Sequence, residues 1–277
     1  EQTDIRIVSL KEGSGKKAGV ALGVREASGS IILCTDGDCR VPDSWVRIFA
    51  SYFNEHNPKM ISGPVKMYSN NWFGHYQALD FSSLIGFGAS TLENGIASTC
   101  NGANMAYRKD VFEEVDGYEG NNQLPTGDDE FLLQKVHELY PDRVKFLKST
   151  LALVTTNPKP TVFDFIQQRI RWGSKWRFHN SSLIKGTAVW AYLDALSVFM
   201  LIALTVTSSI PLLTAFLIIV ARWLSEAYYL YKTSSFFTLN AGKRHYLIVS
   251  IIYPFYVFFL GFASIFGHYS WKGRKYH

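Results

Sequence analysis

The first part of the chain contains the stretch Ser30-Ile31-Ile32-Leu33-Cys34-Thr35-Asp36-Gly37-Asp38, in which a short apolar run ends directly on two carboxylates. Such a run predicts a buried strand, and the glycine between the carboxylates allows a tight turn. Both carboxylates can then point to one side, where their oxygens would bind Mg²⁺ or Mn²⁺. An isolated Asp-x-Asp is also common in surface loops, but its place after an apolar strand favours a metal site. Asp36 and Asp38 are therefore the predicted metal ligands.

Outward from this strand, strand-like runs alternate with helical patterns up to about residue 155. Alternation of this kind predicts an α/β domain. The predicted strands cover residues 5–10, 30–35, 59–65, 144–147 and 151–155, and residues 96–107 are expected to be extended around a turn. The predicted helices cover residues 17–27, 42–56, 72–87, 128–139 and 162–178.

Three long apolar segments follow a sharp change of composition near residue 187. They cover residues 188–206, 210–224 and 246–267, and the second can extend to residue 231. About 20 apolar residues suffice to cross a bilayer, and borders of Trp, Tyr, Lys and Arg favour membrane helices over buried helices of a soluble domain. The expected domains are an α/β domain at residues 1–160, an interfacial helix at residues 161–186 and a transmembrane region at residues 187–277.

The helix that precedes the membrane region has a composition suited to the bilayer surface. Thr161, with Asp164 three residues later, resembles a capping box that would open this helix. Residues 162–178 are amphipathic and rich in Trp, Phe and Arg. We therefore expect this helix to lie at the membrane interface.

The net charge of +5 has an explanation in the membrane region. Many basic residues border the apolar segments, so attraction to anionic lipid explains the charge better than nucleic-acid binding does. The chain has three cysteines, Cys34, Cys39 and Cys100, and no C-x-x-C motif. An odd number without such a motif argues against a disulfide framework or a zinc site. Reduced thiols in a cytosolic domain are the expected state.

The orientation in the membrane stays open on charge alone. Lys232, Lys243 and Arg244 lie between the second and third apolar segments, and such loops are normally cytoplasmic. That would place the N-terminal domain in the cytoplasm, but the basic run at residues 272–275 would then lie outside, against the same rule. The chain begins with Glu1 and shows no signal peptide. We expect a fragment whose natural start lies upstream, in a protein of a bacterial inner (plasma) membrane.

Asp128-Asp129-Glu130 could supply a general base. Clustered carboxylates raise one another's pKa, which suits a group that accepts a proton from a hydroxyl. The alternative is a helix start at which acidic residues complement the helix dipole.

Gln168-x-x-Arg171-Trp172 lies on the expected interfacial helix. Arg171 could pair with phosphate oxygens, Trp172 could stack on a sugar face, and Gln168 could donate or accept hydrogen bonds. An interfacial anchor of Trp and Arg is the alternative interpretation.

The order Asp-x-Asp, Asp-Asp, Gln-x-x-Arg-Trp and membrane helices resembles the membrane-bound glycosyltransferases of family 2, which include cellulose, chitin and hyaluronan synthases and ceramide glucosyltransferase. The resemblance covers most of residues 1–185. It implies a GT-A-like mixed sheet flanked by helices, a nucleotide-diphosphate sugar donor (a UDP-sugar), a divalent cation, and inversion at the anomeric carbon.

The resemblance also implies roles for individual residues. On the donor side it assigns metal and diphosphate binding to Asp36 and Asp38, nucleotide binding to Lys16 and Lys17 of Gly15-Lys16-Lys17-Ala18, and diphosphate binding to Arg171. On the acceptor side it assigns the base to Asp129 and acceptor contacts to Asn101, Gly102, Asn104, Asp128, Gln168 and Trp172. Two features depart from the family: its first strand and early acidic uridine contact are missing, and Asp128 stands where the family often has Glu.

The expected function is therefore transfer of a sugar from a nucleotide-diphosphate donor to a lipid or saccharide acceptor at the membrane. One alternative is a transferase that places a single sugar on a polyprenyl phosphate or glycolipid. Another is a non-catalytic membrane protein with a degenerate transferase domain. The sequence does not identify the sugar, the acceptor, the product length or the oligomeric state.

Overall fold

The computed structural model describes residues 5–11, 13, 15–120, 127–175, 181–239, 242–266, 269–271 and 274–276. The chain forms two compact units. The first unit comprises residues 1–65 and 88–154, and the second unit comprises residues 66–87 and 155–277. The predicted bounds of the three domains stay a prediction. The expected helix end at residues 176–178 and part of the basic run, residues 272–273, lie outside the described residues.

Strands and helices are interspersed in the described part of the chain through residue 173. The strands are β1 (Ile31–Cys34), β2 (Met60–Ser62), β3 (Val65–Met67), β4 (Met105–Arg108), β5 (Val144–Phe146), β6 (Val154–Thr156), β7 (Tyr269–Trp271) and β8 (Arg274–Tyr276). The helices are α1 (Lys16–Glu26), α2 (Trp45–His56), α3 (Trp72–Glu93), α4 (Lys109–Glu114), α5 (Asp128–Leu139), α6 (Val162–Gly173), α7 (Ser182–Val206), α8 (Leu212–Phe236) and α9 (Lys243–Phe266).

The first unit is built on a four-stranded sheet in the order β1-β4-β2-β5. Strand β4 is antiparallel to both β1 and β2, whereas β2 and β5 are parallel. The predicted mixed α/β sheet with flanking helices is thus confirmed. Cys34, the last residue of β1, lies opposite Met105, the first residue of β4. This register brings the loop after β1 and the loop before β4 to the same edge of the sheet.

The core of the first unit packs helices against this sheet. Helix α2 buries Trp45, Phe49 and Phe53, which are spaced four residues apart and therefore share one face. Met60 and Tyr107 from neighbouring strands are fully buried. Burying an apolar side chain of this size contributes about 1.5 to 3 kcal/mol, so these contacts hold the sheet edge that carries the functional loops.

Three strand predictions need correction. A strand was expected at residues 151–155, but Thr150–Ala152 form a short 3-10 helix capped by the Ser149 hydroxyl, and β6 begins only at Val154. Residues 5–10 form no strand, and Ile5 and Ile7 are 79% and 88% exposed. Alternation alone does not make a strand, because a strand also needs a neighbour for its backbone hydrogen bonds. Strand β1 was expected to be buried, but it is only half-buried. Its position at the end of the β1-β4-β2-β5 order explains the difference, since an edge strand is covered less.

The second unit contains the amphipathic helix and the apolar helices. The Thr161 hydroxyl accepts a hydrogen bond from the Asp164 amide at 3.1 Å and donates one to the Asp164 carboxylate at 2.6 Å, as expected of a capping pair. Residues Ser182–Val206, Leu212–Phe236 and Arg244–Ile265 are long and apolar enough to cross a membrane. The three predicted candidate spans are confirmed. Their large apolar side chains, such as Trp190 and Leu212, are exposed, which suits contact with lipid.

Candidate functional site

Side chains from three separate segments meet at one edge of the first unit's sheet. We call this group the carboxylate cluster: Asp36, Asp128 and Asp129, with Lys16 and the backbone of Gly102. The Lys16 Nζ lies 2.9 Å from Asp36 Oδ1 and 3.2 Å from Asp128 Oδ2. The motifs that the sequence placed around residues 16, 36, 102 and 128 are thus brought together in space.

Lys16 carries the positive charge of the carboxylate cluster. Burial alone would lower the pKa of its ammonium group, but the negative charges of Asp128, Asp36 and Asp129 outweigh burial and raise the pKa above its ordinary value. Lys16 is therefore charged throughout the physiological range. Its predicted nucleotide contact stays a prediction, and in this structure the ammonium group bridges two acidic motifs.

Lys17 points to a different place from Lys16. Its Nζ lies 5.7 Å from the centroid of the Phe131 ring, within the range of a cation–π contact. Adjacent positions on a helix do not share a face, which explains why the two lysines make different contacts. The nucleotide-binding role expected for Lys17 stays a prediction.

Asp129 is held in the first turn of α5 by two backbone amides. Its Oδ2 accepts a hydrogen bond from the Gly102 amide at 2.9 Å, and its Oδ1 accepts one from the Glu130 amide at 2.9 Å. Gly127 before the helix has a φ of 84°, a conformation that glycine adopts without strain. The negative side chains Asp128 to Glu130 also complement the helix dipole. The catalytic and the structural interpretations of this motif are therefore compatible.

Gly102 allows close approach between the loop and α5. A Cβ atom at this position would lie 3.1 Å from the Lys16 Nζ and 3.5 Å from the Asp129 Oδ2. A side chain would thus crowd the cluster. The predicted acceptor contact of Gly102 stays a prediction, while its amide directly binds the candidate base.

Asn101 and Asn104 shape the loop from within the first unit. The Asn101 Oδ1 accepts a hydrogen bond from the Ala103 amide at 2.9 Å. Asn104 is fully buried. Its Nδ2 donates to the carbonyl oxygens of Pro64 and Ala152, each at 2.8 Å, and its Oδ1 accepts from the Trp45 indole at 2.9 Å. This conformation does not present the Asn104 side chain to an acceptor, and that predicted role stays untested.

Asp36, Asp38 and Cys39 could together hold a cation. One potential ligand atom from each lies within 4.8 Å of those from the other two. Asp38 is exposed and Asp36 half-exposed, so coordination positions remain open for phosphate oxygens, as magnesium sites require. The two carboxylates suit Mg²⁺ or Mn²⁺, whereas the thiol suits softer metals. The donor set therefore fits the expected cation through its two carboxylates.

The Gln168-x-x-Arg171-Trp172 motif lies at the end of α6 in the second unit. Gln168, Arg171 and Trp172 are half-buried. The Trp172 ring packs 5.9 Å from the Phe81 ring, centroid to centroid. The roles predicted for the three motif residues stay predictions.

Sequence reasoning missed Asp80 and the residue inside the motif, Arg169. The Arg169 Nη2 lies 2.6 Å from Asp80 Oδ2, and the two side chains are only 3% and 2% exposed. The two residues are 89 positions apart, so spacing gave no signal. One hint for Asp80 was available in the sequence, since it is a charged residue between the apolar residues Leu79 and Phe81 in a predicted helix.

Residues 1–116 match the family model described as Glycosyl transferase family 2. Curated relatives include the poly-beta-1,6-N-acetyl-D-glucosamine synthases of Staphylococcus aureus strains COL and MSSA476, each 26% identical over 176 residues. The aligned part is 62% of this chain and 41% of each relative, so the chain spans less than half the length of these relatives. The family-model match confirms a glycosyl transferase family 2 domain in residues 1–116, as the order of the motifs predicted.

Solved structures of Staphylococcus aureus TarS are also similar to this chain. A crystal structure of TarS has a TM-score of 0.38 at 15% identity, covering 65% of this chain and 31% of that chain. TarS 1-349 in complex with UDP-GlcNAc has a TM-score of 0.37 at 13% identity, covering 95% and 76%. TM-scores this low support no inference about this chain.

Proposed function

Because residues 1–116 form a glycosyl transferase family 2 domain, we propose that this protein is an inverting glycosyltransferase that acts at the membrane. It transfers a sugar from a nucleotide-diphosphate donor to a saccharide or lipid acceptor. The observation that carries the proposal is the carboxylate cluster, since it unites the expected metal, base and lysine motifs within hydrogen-bond distances. Unconnected surface motifs would not converge in this way.

The donor side of the site is assigned to Asp36, Asp38 and Lys16. Asp36 and Asp38 would hold Mg²⁺ or Mn²⁺, which neutralises charge on a diphosphate leaving group when it is bound. Lys16 adds a fixed positive charge beside Asp36. That charge would attract the diphosphate and keep Asp36 oriented when the donor is absent.

Asp129 is assigned as the general base. The acceptor hydroxyl oxygen attacks the anomeric carbon, its proton passes to the Asp129 carboxylate, and the bond from the anomeric carbon to the diphosphate oxygen breaks. The electron pair of that bond leaves with the nucleoside diphosphate. The hydrogen bond from the Gly102 amide to Asp129 Oδ2 fixes the carboxylate before the acceptor arrives, which favours catalysis by a positioned base.

The donor is proposed to be UDP-N-acetylglucosamine. The curated relatives are named for a polymer of N-acetyl-D-glucosamine, and a sugar polymer of this kind is built from an activated form of its repeating unit. UDP-glucose, UDP-galactose and GDP-mannose are the comparison donors.

The acceptor is proposed to be held at the membrane, with the first unit on the cytoplasmic side of a bacterial inner membrane. The three candidate spans in the same chain favour this location. They also favour the second candidate function, transfer of one sugar to a polyprenyl phosphate or glycolipid. A growing saccharide product would support polymer synthesis, whereas one sugar on an extractable lipid would support the second candidate.

The test is release of nucleoside diphosphate by the full-length protein in native membranes. Each donor is supplied with Mg²⁺ or Mn²⁺, and parallel samples contain EDTA. We expect release from one donor, and EDTA should abolish that release. Asp38→Asn should reduce it, whereas Asp43→Asn should leave it unchanged, because Asp43 is a nearby exposed carboxylate outside the group formed by Asp36, Asp38 and Cys39. No release from any donor by folded protein would overturn the proposal in favour of a non-catalytic protein.

A further inference from the structure

Arg169, the second residue of the Gln168-x-x-Arg171-Trp172 motif, forms a buried ion pair with Asp80. Both the Nε and the Nη2 of Arg169 bind one oxygen of Asp80, at 2.9 and 2.6 Å. Burial alone would lower the pKa of Arg169, but the charge of Asp80, together with Tyr256 and the hydrogen bonds to both residues, outweighs burial and raises the pKa above its ordinary value. Arg169 therefore stays charged although water barely reaches its side chain, which is 3% exposed.

Arg169 contacts two residues of the motif at the same time. Its Nη1 donates a hydrogen bond to Gln168 Oε1 at 3.2 Å. Its guanidinium carbon lies 4.3 Å from the centroid of the Trp172 ring and 4.7 Å from that of the Phe165 ring. Phe165, Arg169 and Trp172 are spaced four and three residues apart and therefore lie on one face of α6. The guanidinium group thus packs against two rings and also binds the side-chain amide of Gln168.

The pair also connects α6 to two other helices of the second unit. Asp80 belongs to α3, and the Arg169 Nε lies 3.1 Å from the hydroxyl of Tyr256 on α9. Phe81, the residue after Asp80, packs against Trp172. Two adjacent residues of α3 therefore contact the motif: the Asp80 carboxylate binds Arg169, and the Phe81 ring packs against Trp172.

Stability alone does not explain this arrangement. Moving two charges out of water costs several kcal/mol for each ion, and apolar residues of similar size often stabilise a protein as well or better. The ion pair adds a fixed orientation, because the guanidinium group donates hydrogen bonds from Nε, Nη1 and Nη2 while it packs against two rings. We infer that Asp80 and Arg169 are positioning residues that fix Gln168 and Trp172 for the acceptor. This inference rests on the proposed transferase function.

The test compares single and double variants of the pair. Asp80→Ala leaves a buried arginine unpaired, whereas Asp80→Ala with Arg169→Met removes both charges. If the pair only stabilised the fold, the double variant would recover both stability and full transfer. If the pair positions the motif, stability recovers but transfer does not. Gln77→Ala is the matched control, because Gln77 is buried on α3 and makes two hydrogen bonds to the Lys159 backbone without contacting the motif.

The readout is the ratio of labelled N-acetylglucosamine incorporated into membranes to UDP released from UDP-N-acetylglucosamine. Loss of folded enzyme lowers both quantities equally, whereas a misplaced acceptor lets water take the sugar and lowers the ratio. Because a displacement of about 1 Å at a reacting centre can cost on the order of 100-fold, we expect the ratio of the double variant to fall about tenfold or more. The donor KM should stay unchanged.

Each outcome separates the inference from the proposed function. A low ratio in the double variant with a normal ratio in Gln77→Ala supports positioning by the pair. A wild-type ratio in a stable double variant overturns the positioning role while the transferase function stands. A wild type that releases no UDP and incorporates no sugar from any donor overturns the proposed function and, with it, the inference.

Discussion

Replacing Asn104 by alanine tests how the loop before β4 is held. The Asn104 amide makes three hydrogen bonds, to the carbonyl oxygens of Pro64 and Ala152 and from the Trp45 indole. The side chain is fully buried, so water does not replace these bonds in the folded protein. The substitution leaves the Trp45 indole N–H and the Ala152 carbonyl without their Asn104 partner, whereas the Pro64 carbonyl still accepts a hydrogen bond from the Val154 amide at 3.1 Å.

The expected loss of stability follows from these contacts. A buried polar group left without a partner costs about 1 to 3 kcal/mol, and two such groups would approach the upper end of the usual range of single substitutions if their costs were fully additive. We expect a loss of about 3 to 5 kcal/mol, near the upper end of that range. Asn101→Ala loses one hydrogen bond, to the Ala103 amide, and should cost about 1 kcal/mol.

The assay is thermal unfolding of the full-length protein in detergent, followed by tryptophan fluorescence. Asn104→Ala should lower the melting temperature at least about three times as much as Asn101→Ala, in proportion to the free energies above. Equal shifts for the two variants would refute the assignment of Asn104 as the buried support of the loop. Asn101→Ala serves as the control because it makes the same chemical change three residues away.

Two further predictions concern packing and thiol chemistry in the first unit. A Cβ on Gly63 would lie 2.5 to 2.8 Å from three atoms of the Asn104 amide, so Gly63→Ala should lower stability by about 1 to 3 kcal/mol. It should cost less in an Asn104→Ala background, and full additivity of the two losses would contradict this contact. Burial raises the pKa of the Cys34 thiol, which leaves less thiolate at a given pH. With Cys39 and Cys100 replaced by serine, iodoacetamide at pH 8 should alkylate Cys34 more slowly in the folded protein than in urea, and equal rates would contradict that pKa shift.

The sequence predicted features that depend on local pattern. Helix α5 begins at Asp128, where acidic residues favour a helix start, and Thr161 caps α6 as its spacing to Asp164 suggested. The three apolar helices followed from length and hydropathy, which do not depend on distant contacts. The convergence of the carboxylate motifs was expected only from the resemblance to a family.

Features that depend on distant contacts escaped prediction. The apolar alternation of residues 5–10 predicted a strand, but no neighbouring strand accepts its hydrogen bonds among the described residues. Asn104 was expected to contact the acceptor, although its side-chain bonds reach residues 40 and 48 positions away. The Asp80–Arg169 pair joins helices that no local pattern connects. Each case is decided by tertiary partners, which a single sequence does not display.

The most direct test of the central claim compares Asp129→Asn with Asp110→Asn. Both aspartates accept a hydrogen bond from the next backbone amide in the first turn of a helix, but Asp110 is exposed and outside the carboxylate cluster. Sugar incorporation from UDP-N-acetylglucosamine and donor binding are measured for both variants in membranes. A positioned base contributes on the order of 10²- to 10⁴-fold, so Asp129→Asn should lose transfer by about that factor while donor binding persists and Asp110→Asn stays active. Full transfer by Asp129→Asn would contradict the assignment of this carboxylate as the base.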